Sequence, residues 1–206
     1  MAYPHSESPA LSEQHVKDAT LFASRGDLIK ALTFLRHGIV AEVGVAFGDF
    51  SEFLLATLEP RKFVAFDTFM CHELPIIWGK ETEKWLDGMT HADFYRKRFA
   101  GREEQVVIEV GDSAATLPRY PDNFFDMIYI DAMHTYEGVK VDTDNAKLRI
   151  KDDGVLIFND YIMFDHMLGE PYGVVQVVNE LIVSEGWRVI GFALNPHMFC
   201  DIAVQR

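Results

Sequence analysis

The feature that most constrains this chain is an alternation of two kinds of segment. Five compact apolar runs, Ile39 to Val43, Phe63 to Phe66, Val106 to Val110, Phe125 to Ile130 and Val155 to Phe158, are separated by stretches with helical periodicity. Runs rich in Val, Ile and Phe that lack polar alternation are the pattern of strands covered on both faces. Between them, Phe50, Phe53, Leu54 and Leu58 recur at helical spacing. Thr90 stands where it caps HADFYRKRF before Gly101, and Thr135 where it caps a helix to about Ile150, ahead of the turn Lys151 to Gly154. Strand and helix in alternation make a mostly parallel sheet with helices on both sides, an α/β fold.

The two ends of the chain depart from this pattern. Pro9 to Arg25, opened by Ser8 and closed by Gly26, and Asp27 to His37, closed by Gly38, read as two extra helices in an N-terminal extension over 1–38. Pro171 starts a helix that Gly186 ends, and WRVIGFAL and MFCDIAVQR flank Asn195-Pro196-His197 as an antiparallel hairpin. The 206 residues suit a single domain, 1–206. Within it, the segment 68–88, with MCHELPIIWGKETEKWLDG, is longer than an ordinary connection. It reads as a lid-like, substrate-facing insertion or, with equal weight, as a core-packing extension.

A formal net charge of -13 repels a phosphate backbone, so nucleic acid is excluded as a partner. The opening MAYPHSESPALSEQH has no signal-peptide pattern, and no apolar stretch reaches the roughly 20 residues that cross a bilayer, so a cytoplasmic protein with no membrane partner is expected. Cys71 and Cys200 form no CxxC or CxxH pair and are expected to be reduced and structural.

The strand ends carry the chemistry. The first run closes in AEVGVAFGDFSEFLL, an ExGxxxG pattern of Glu42, Gly44 and Gly48 leading into a helix. Glycines there allow a tight turn and a close approach of backbone to ligand at the carboxyl end of a strand. A dinucleotide fingerprint would need glycine where Ala46 and Asp49 stand, and Asp49 at a helix start opposes a pyrophosphate, which favours a zwitterionic or cationic ligand. Asp67 closes the second run in FVAFDTF, about 20 residues on, the distance at which an acid meets ribose hydroxyls in related nucleotide folds. Asp112 and Ser113 follow the third run and have the polar atoms to meet an adenine edge.

Together these motifs resemble the class I S-adenosylmethionine-dependent methyltransferases over about Ile39 to Arg206, and YIDAMHTYEGVKVD with GVLIFNDY resembles the small branch related to catechol-type and antibiotic-tailoring O-methyltransferases. The resemblance implies a Rossmann-like, doubly wound, seven-stranded sheet in the order 3-2-1-4-5-7-6, counting the five runs and then the two hairpin strands. It also implies S-adenosylmethionine as cofactor. Glu42 and the loop of Gly44, Phe47 and Gly48 would hold its methionine part, Asp67 its ribose, and Asp112 with Ser113 its adenine, with Thr68 a further cofactor-binding residue.

In that order the fourth and fifth strands are neighbours, so Asp131 stands beside Asn159 and Asp160 as a candidate oxygen set for Mg²⁺. The related metal-dependent enzymes carry Asp then Asn after strand five, whereas this chain has Asn159 then Asp160. His134, three residues past Asp131, occupies the place of the catalytic lysine in the catechol-type enzymes. An imidazole is partly free base at neutral pH, so His134 is a general base, a further metal ligand or a helix-start residue. The reading is Mg²⁺-assisted O-methylation of a small hydroxylated molecule, with Asp131 and His134 catalytic. The alternatives are a metal-independent methyltransferase, a nucleotide-binding oxidoreductase on a similar fold, and a catalytically silent binding protein. Phe69, Trp78, Trp85, Tyr161 and Phe164 are candidates for an aromatic acceptor pocket, and the N-terminal helices and edge hairpin for contacts in a homo-oligomer.

Overall fold

The computed structural model describes residues 8–206. Its sheet has eight strands: β1 Thr20–Phe22, β2 Ile39–Val43, β3 Lys62–Asp67, β4 Val106–Val110, β5 Phe125–Ile130, β6 Ile150–Phe158, β7 Arg188–Leu194 and β8 Cys200–Gln205. The spatial order is β1-β7-β8-β6-β5-β2-β3-β4. Seven of these strands stand in the expected order, parallel from β6 to β4 and antiparallel across the β7–β8 hairpin. The helices are α1 Glu13–Val16, α2 Arg25–Ala31, α3 Asp49–Leu58, α4 Thr82–Leu86, α5 His91–Arg98, α6 Ser113–Thr116, α7 Tyr136–Arg149 and α8 Val174–Glu185.

The eighth strand was not expected. Pro9 to Arg25 is not one helix: α1 covers four residues, and Thr20–Phe22 pairs in parallel with β7 at Thr20↔Gly191. The cause is tertiary, because the last hairpin leaves β7 with an unpaired edge that a β-branched and aromatic triplet can fill. The second expected helix is α2, capped by the Ser24 hydroxyl on the Asp27 amide, followed by a 3₁₀ turn at Thr33–Leu35. Lys151 to Gly154 is not a turn but the start of β6, with a register shift against Phe125 and Met127. Pro171 pairs in a short ribbon, and α8 begins only at Val174.

Strand parity divides the core. Ile39, Ala41 and Val43 face α7 and α8, while Val40, Met127, Tyr129 and Ile157 face α2, α3 and α5. At the carboxyl edge each strand stays tied to its neighbour for one further residue. Gly44 N–H donates to Phe66 O, Gly111 to Asp67, Asp131 to Val43 and Asn159 to Ile130, at 2.8 to 3.0 Å. Four chain segments therefore turn outward from one straight rim. Among the described residues no helix is long and apolar enough to cross a membrane.

Most of the insertion is exposed, with a few buried anchors. Ile76–Ile77 and Lys80–Glu81 form a two-stranded ribbon leading into α4, and Phe69, Thr82 and Leu86 are buried. Trp85 stacks on Phe47 with centroids 5.1 Å apart, while Trp78 meets the same ring edge-on and remains mostly exposed. The segment is thus attached to the back of the glycine loop by aromatic contact.

Candidate active site

A cleft of about 700 Å³ opens over the β2, β3, β4 and β5 tips, within the size range of small-molecule sites. Gly44, Asp67, Thr68, Asp112, Ser113 and Asp131 all line it. At Gly44, φ is +84°, and a Cβ would lie 2.0 Å from the Asp131 carbonyl oxygen, so glycine is demanded by backbone meeting backbone. The same residue forms cleft wall. Asp67 accepts the Val45 amide at 2.9 Å through Oδ2 and the Phe69 amide at 2.7 Å through Oδ1, which fixes both oxygens while leaving each a further lone pair. Asp112 caps α6 on the Ala114 amide at 2.9 Å. Ser113 donates its hydroxyl to Asp142, whose carboxyl burial pushes up to about 6.

Three expected cofactor residues are not at the cleft wall. Glu42 shares the parity of Val40, so its side chain enters the α3 and α5 layer, fully buried, where it accepts the Ser51 hydroxyl. Ser51 in turn accepts Tyr95 OH at 2.8 Å, and burial drives the Glu42 carboxyl well above its usual range. The Phe47 ring is the aromatic anchor of the insertion, while its backbone amide follows directly on Ala46, which lines the cleft. Gly48, at φ +87°, starts α3 with the Tyr95 and Phe99 rings 3.0 Å from where a Cβ would stand.

Sequence reasoning missed the α7 side of the cleft. Gly138, Val141 and Asp142 lie on its wall, at an i, i+3, i+4 spacing that marks one helix face. Cys71 also lines it, its thiol pushed to about 11 by burial and by Asp67, so it is neutral at physiological pH. Both cysteines are free.

Beyond Asp131 the character changes. His134 stacks on Tyr172, with centroids 4.4 Å and planes 6° apart. Its Nε2 is buried without a hydrogen-bond partner, 3.7 Å from Asp131 Oδ1 and 3.6 Å from Asp160 Oδ2. Burial lowers the imidazole pKa, so the ring is neutral near pH 7. Burial first, and Asp160 second, raise Asp131 to about 7, and burial with Asp201 raises Asp160 to about 7. Asp160 adopts φ +52°, a strained conformation for a residue with a Cβ.

Arg25 enters this cluster from α2, a contribution with no signal in the sequence. Its Nη1 donates to Tyr129 OH at 3.3 Å and lies 3.9 Å from Asp131 Oδ2, and its guanidinium sits 4.3 Å above the Phe50 ring. A pocket of about 230 Å³ lies against it, lined also by Asn159, Asp160, Asn195 and Phe199.

The geometry gives the expected Mg²⁺ donor set no support. Asn159 is turned into a buried network: its Nδ2 donates to Tyr129 OH and to Asp201 Oδ1, each at 3.2 Å, and Asp201 also accepts Tyr129 OH and Asn195 Nδ2 at 2.6 Å. Asp131 and Asp160 are left with His134 between them, and among the described residues no three His, Cys, Asp or Glu side chains stand together as a metal site. The expected aromatic pocket does not assemble either. Phe69 is buried, Trp85 packs on Phe47, and Tyr161 donates to Asn179 Oδ1 at 2.5 Å beside Phe192.

A family model described as a methyltransferase domain matches residues 41–161. Among solved structures, the O-methyltransferase from Bacillus cereus in complex with SAH is 18% identical, with a TM-score of 0.59 over 88% of this chain and 80% of that one. An SAM-dependent methyltransferase from Aquifex aeolicus is 16% identical (TM-score 0.58, 86% and 87%), and the ribosomal protein L11 methylase from Lactobacillus delbrueckii subsp. bulgaricus is 12% identical (0.57, 96% and 80%). At these identities the likeness shows the fold. A search of the curated proteins finds no match.

Proposed function

The chain belongs to the methyltransferase-domain family, as a class I S-adenosylmethionine-dependent methyltransferase, and from that premise we propose that it methylates a hydroxyl of a small molecule, with His134 as base and without a metal ion. The observation that carries this reading is the buried, unpartnered Nε2 of a neutral His134, held between two carboxyl groups, one of which, Asp131, lines the cleft.

When bound, S-adenosylmethionine would supply an electrophilic methyl group to the acceptor oxygen, its carbon–sulfur electron pair leaving with sulfur. The chain's residues align and deprotonate. Asp67 offers its remaining lone pairs to the ribose, and Asp112 and the α7 wall flank the base. The acceptor hydroxyl points its proton at His134 Nε2. As that nitrogen takes the proton, Asp131 and Asp160 stabilise the new positive charge, and Tyr172 keeps the ring in its plane. The exposed Met133, Met163, Phe164 and Met198 near this end favour an acceptor with an apolar part.

Labelled methyl transfer to a panel of hydroxylated compounds tests the reading. Turnover is expected to persist undiminished in EDTA, and transfer only to amines or thiols, or only after Mg²⁺ is restored, would defeat it.

A further inference from the structure

The stretch from Gly44 to Gly48 is held from behind by a residue whose chemistry stability alone does not explain. His91, the first residue of α5, is fully buried, with its ring 4.9 Å from that of Phe69 and 6.0 Å from that of Phe47. Its Nε2 lies 2.5 Å from the Ala46 carbonyl oxygen, which can only accept, so Nε2 carries the hydrogen. Its Nδ1 is buried with no partner among the described residues. An orphaned buried nitrogen destabilises a fold, and a phenyl ring would fill the same aromatic site without it.

What the imidazole does is orient one peptide group. Ala46 lies in the left-handed region at φ +43°, and the next carbonyl, of Phe47, accepts Arg98 Nη1 at 2.9 Å. Both carbonyls are thereby drawn toward α5. In a trans peptide the C=O and the following N–H point in opposite directions, so holding Ala46 O against His91 turns the Phe47 N–H the other way. Among the described residues the Ala46 and Phe47 amides have no acceptor. Among the described residues no lysine or arginine lines the cleft, and Asp67, Asp112 and Asp131 do. A carboxylate entering there must be met by backbone N–H, and a flipped peptide would meet it with a carbonyl oxygen instead.

We propose that His91 is a positioning residue that locks the 46–47 peptide so that the cleft presents an amide to the carboxylate end of the cofactor. The inference rests on the methyltransferase reading. Calorimetry of S-adenosylhomocysteine and of 5′-methylthioadenosine, which lacks the amino-acid end, tests it on wild type, His91→Phe and His91→Gln. In His91→Phe, S-adenosylhomocysteine is expected to bind about tenfold more weakly while methylthioadenosine is unchanged, and Tm is expected to hold or rise by about 2 °C. His91→Gln, which keeps an N–H within reach, restores most of the affinity. Equal weakening of both nucleosides, unchanged binding of both, or a fall in Tm that accompanies the loss would overturn the positioning role alone. Wild-type protein that binds neither nucleoside would overturn the methyltransferase reading with it.

Discussion

On the cofactor side of the rim, the acids are bound to the backbone beside them. Asp67 holds two amides within two residues of the strands it joins, and Asp112 caps its own helix. On the acceptor side, Asp131, Asp160 and His134 crowd together at 3.6 to 3.7 Å, short of a hydrogen bond, with only Arg25 among them as a fixed cation. The first arrangement gives both Asp67 oxygens and one Asp112 oxygen a local backbone donor and makes a rigid platform. The second leaves burial and repulsion uncompensated, and both carboxyls rise to about 7. On the proposed function, one half of the site holds a molecule still and the other exchanges a proton.

Breaking the reactive half should leave the platform intact. His134→Ala is expected to lower turnover by roughly 10² to 10⁴, with S-adenosylhomocysteine affinity, read by calorimetry, changed by less than about twofold. Loss of affinity on the same scale as loss of turnover would show that the halves are not separable.

Breaking the platform should do the reverse. Gly44→Ala forces a Cβ against the Asp131 carbonyl at a positive φ, which costs about 2 to 4 kcal/mol. Scanning calorimetry is expected to show Tm lower by roughly 8 °C, with cofactor affinity reduced.

The smallest effect concerns stability and pH. Asp131 and Asp160 titrate near 7 when folded and near 3.8 otherwise, so the native chain holds protons that the unfolded chain has lost between those values. Stability is full below about pH 4 with respect to these groups and declines as pH rises through 7. Asp131→Asn removes part of that decline, and Tm at pH 8 is expected to rise by about 3 °C while turnover falls. A parallel Tm profile for variant and wild type would remove the idea that this half is held at a cost.

The two halves were also unequally legible. Asp67, Asp112 and the glycine turn follow directly from strand ends, because a rim of parallel strands delivers the residues after each run to one line. The inward position of Glu42 is written in its parity: alternation with Val40 sends it into the helix layer, where it meets Ser51. The α7 wall was open to helical spacing through Gly138 and Asp142. Arg25 was not legible, since nothing local marks a residue 106 positions before Asp131 as its neighbour.

The alternation of apolar runs and helices was by itself enough to determine a parallel α/β sheet, because that follows from patterns repeated within a few residues, whereas the strand order and the cofactor came only with the family resemblance. Tertiary structure alone decided that Thr20–Phe22 completes the sheet, that Asn159 turns inward to Tyr129 and Asp201, and that His134 is left without a partner between two acids. Those outcomes depend on which arrangement of residues distant in the chain leaves the fewest buried groups unpaired, and no local periodicity records that competition.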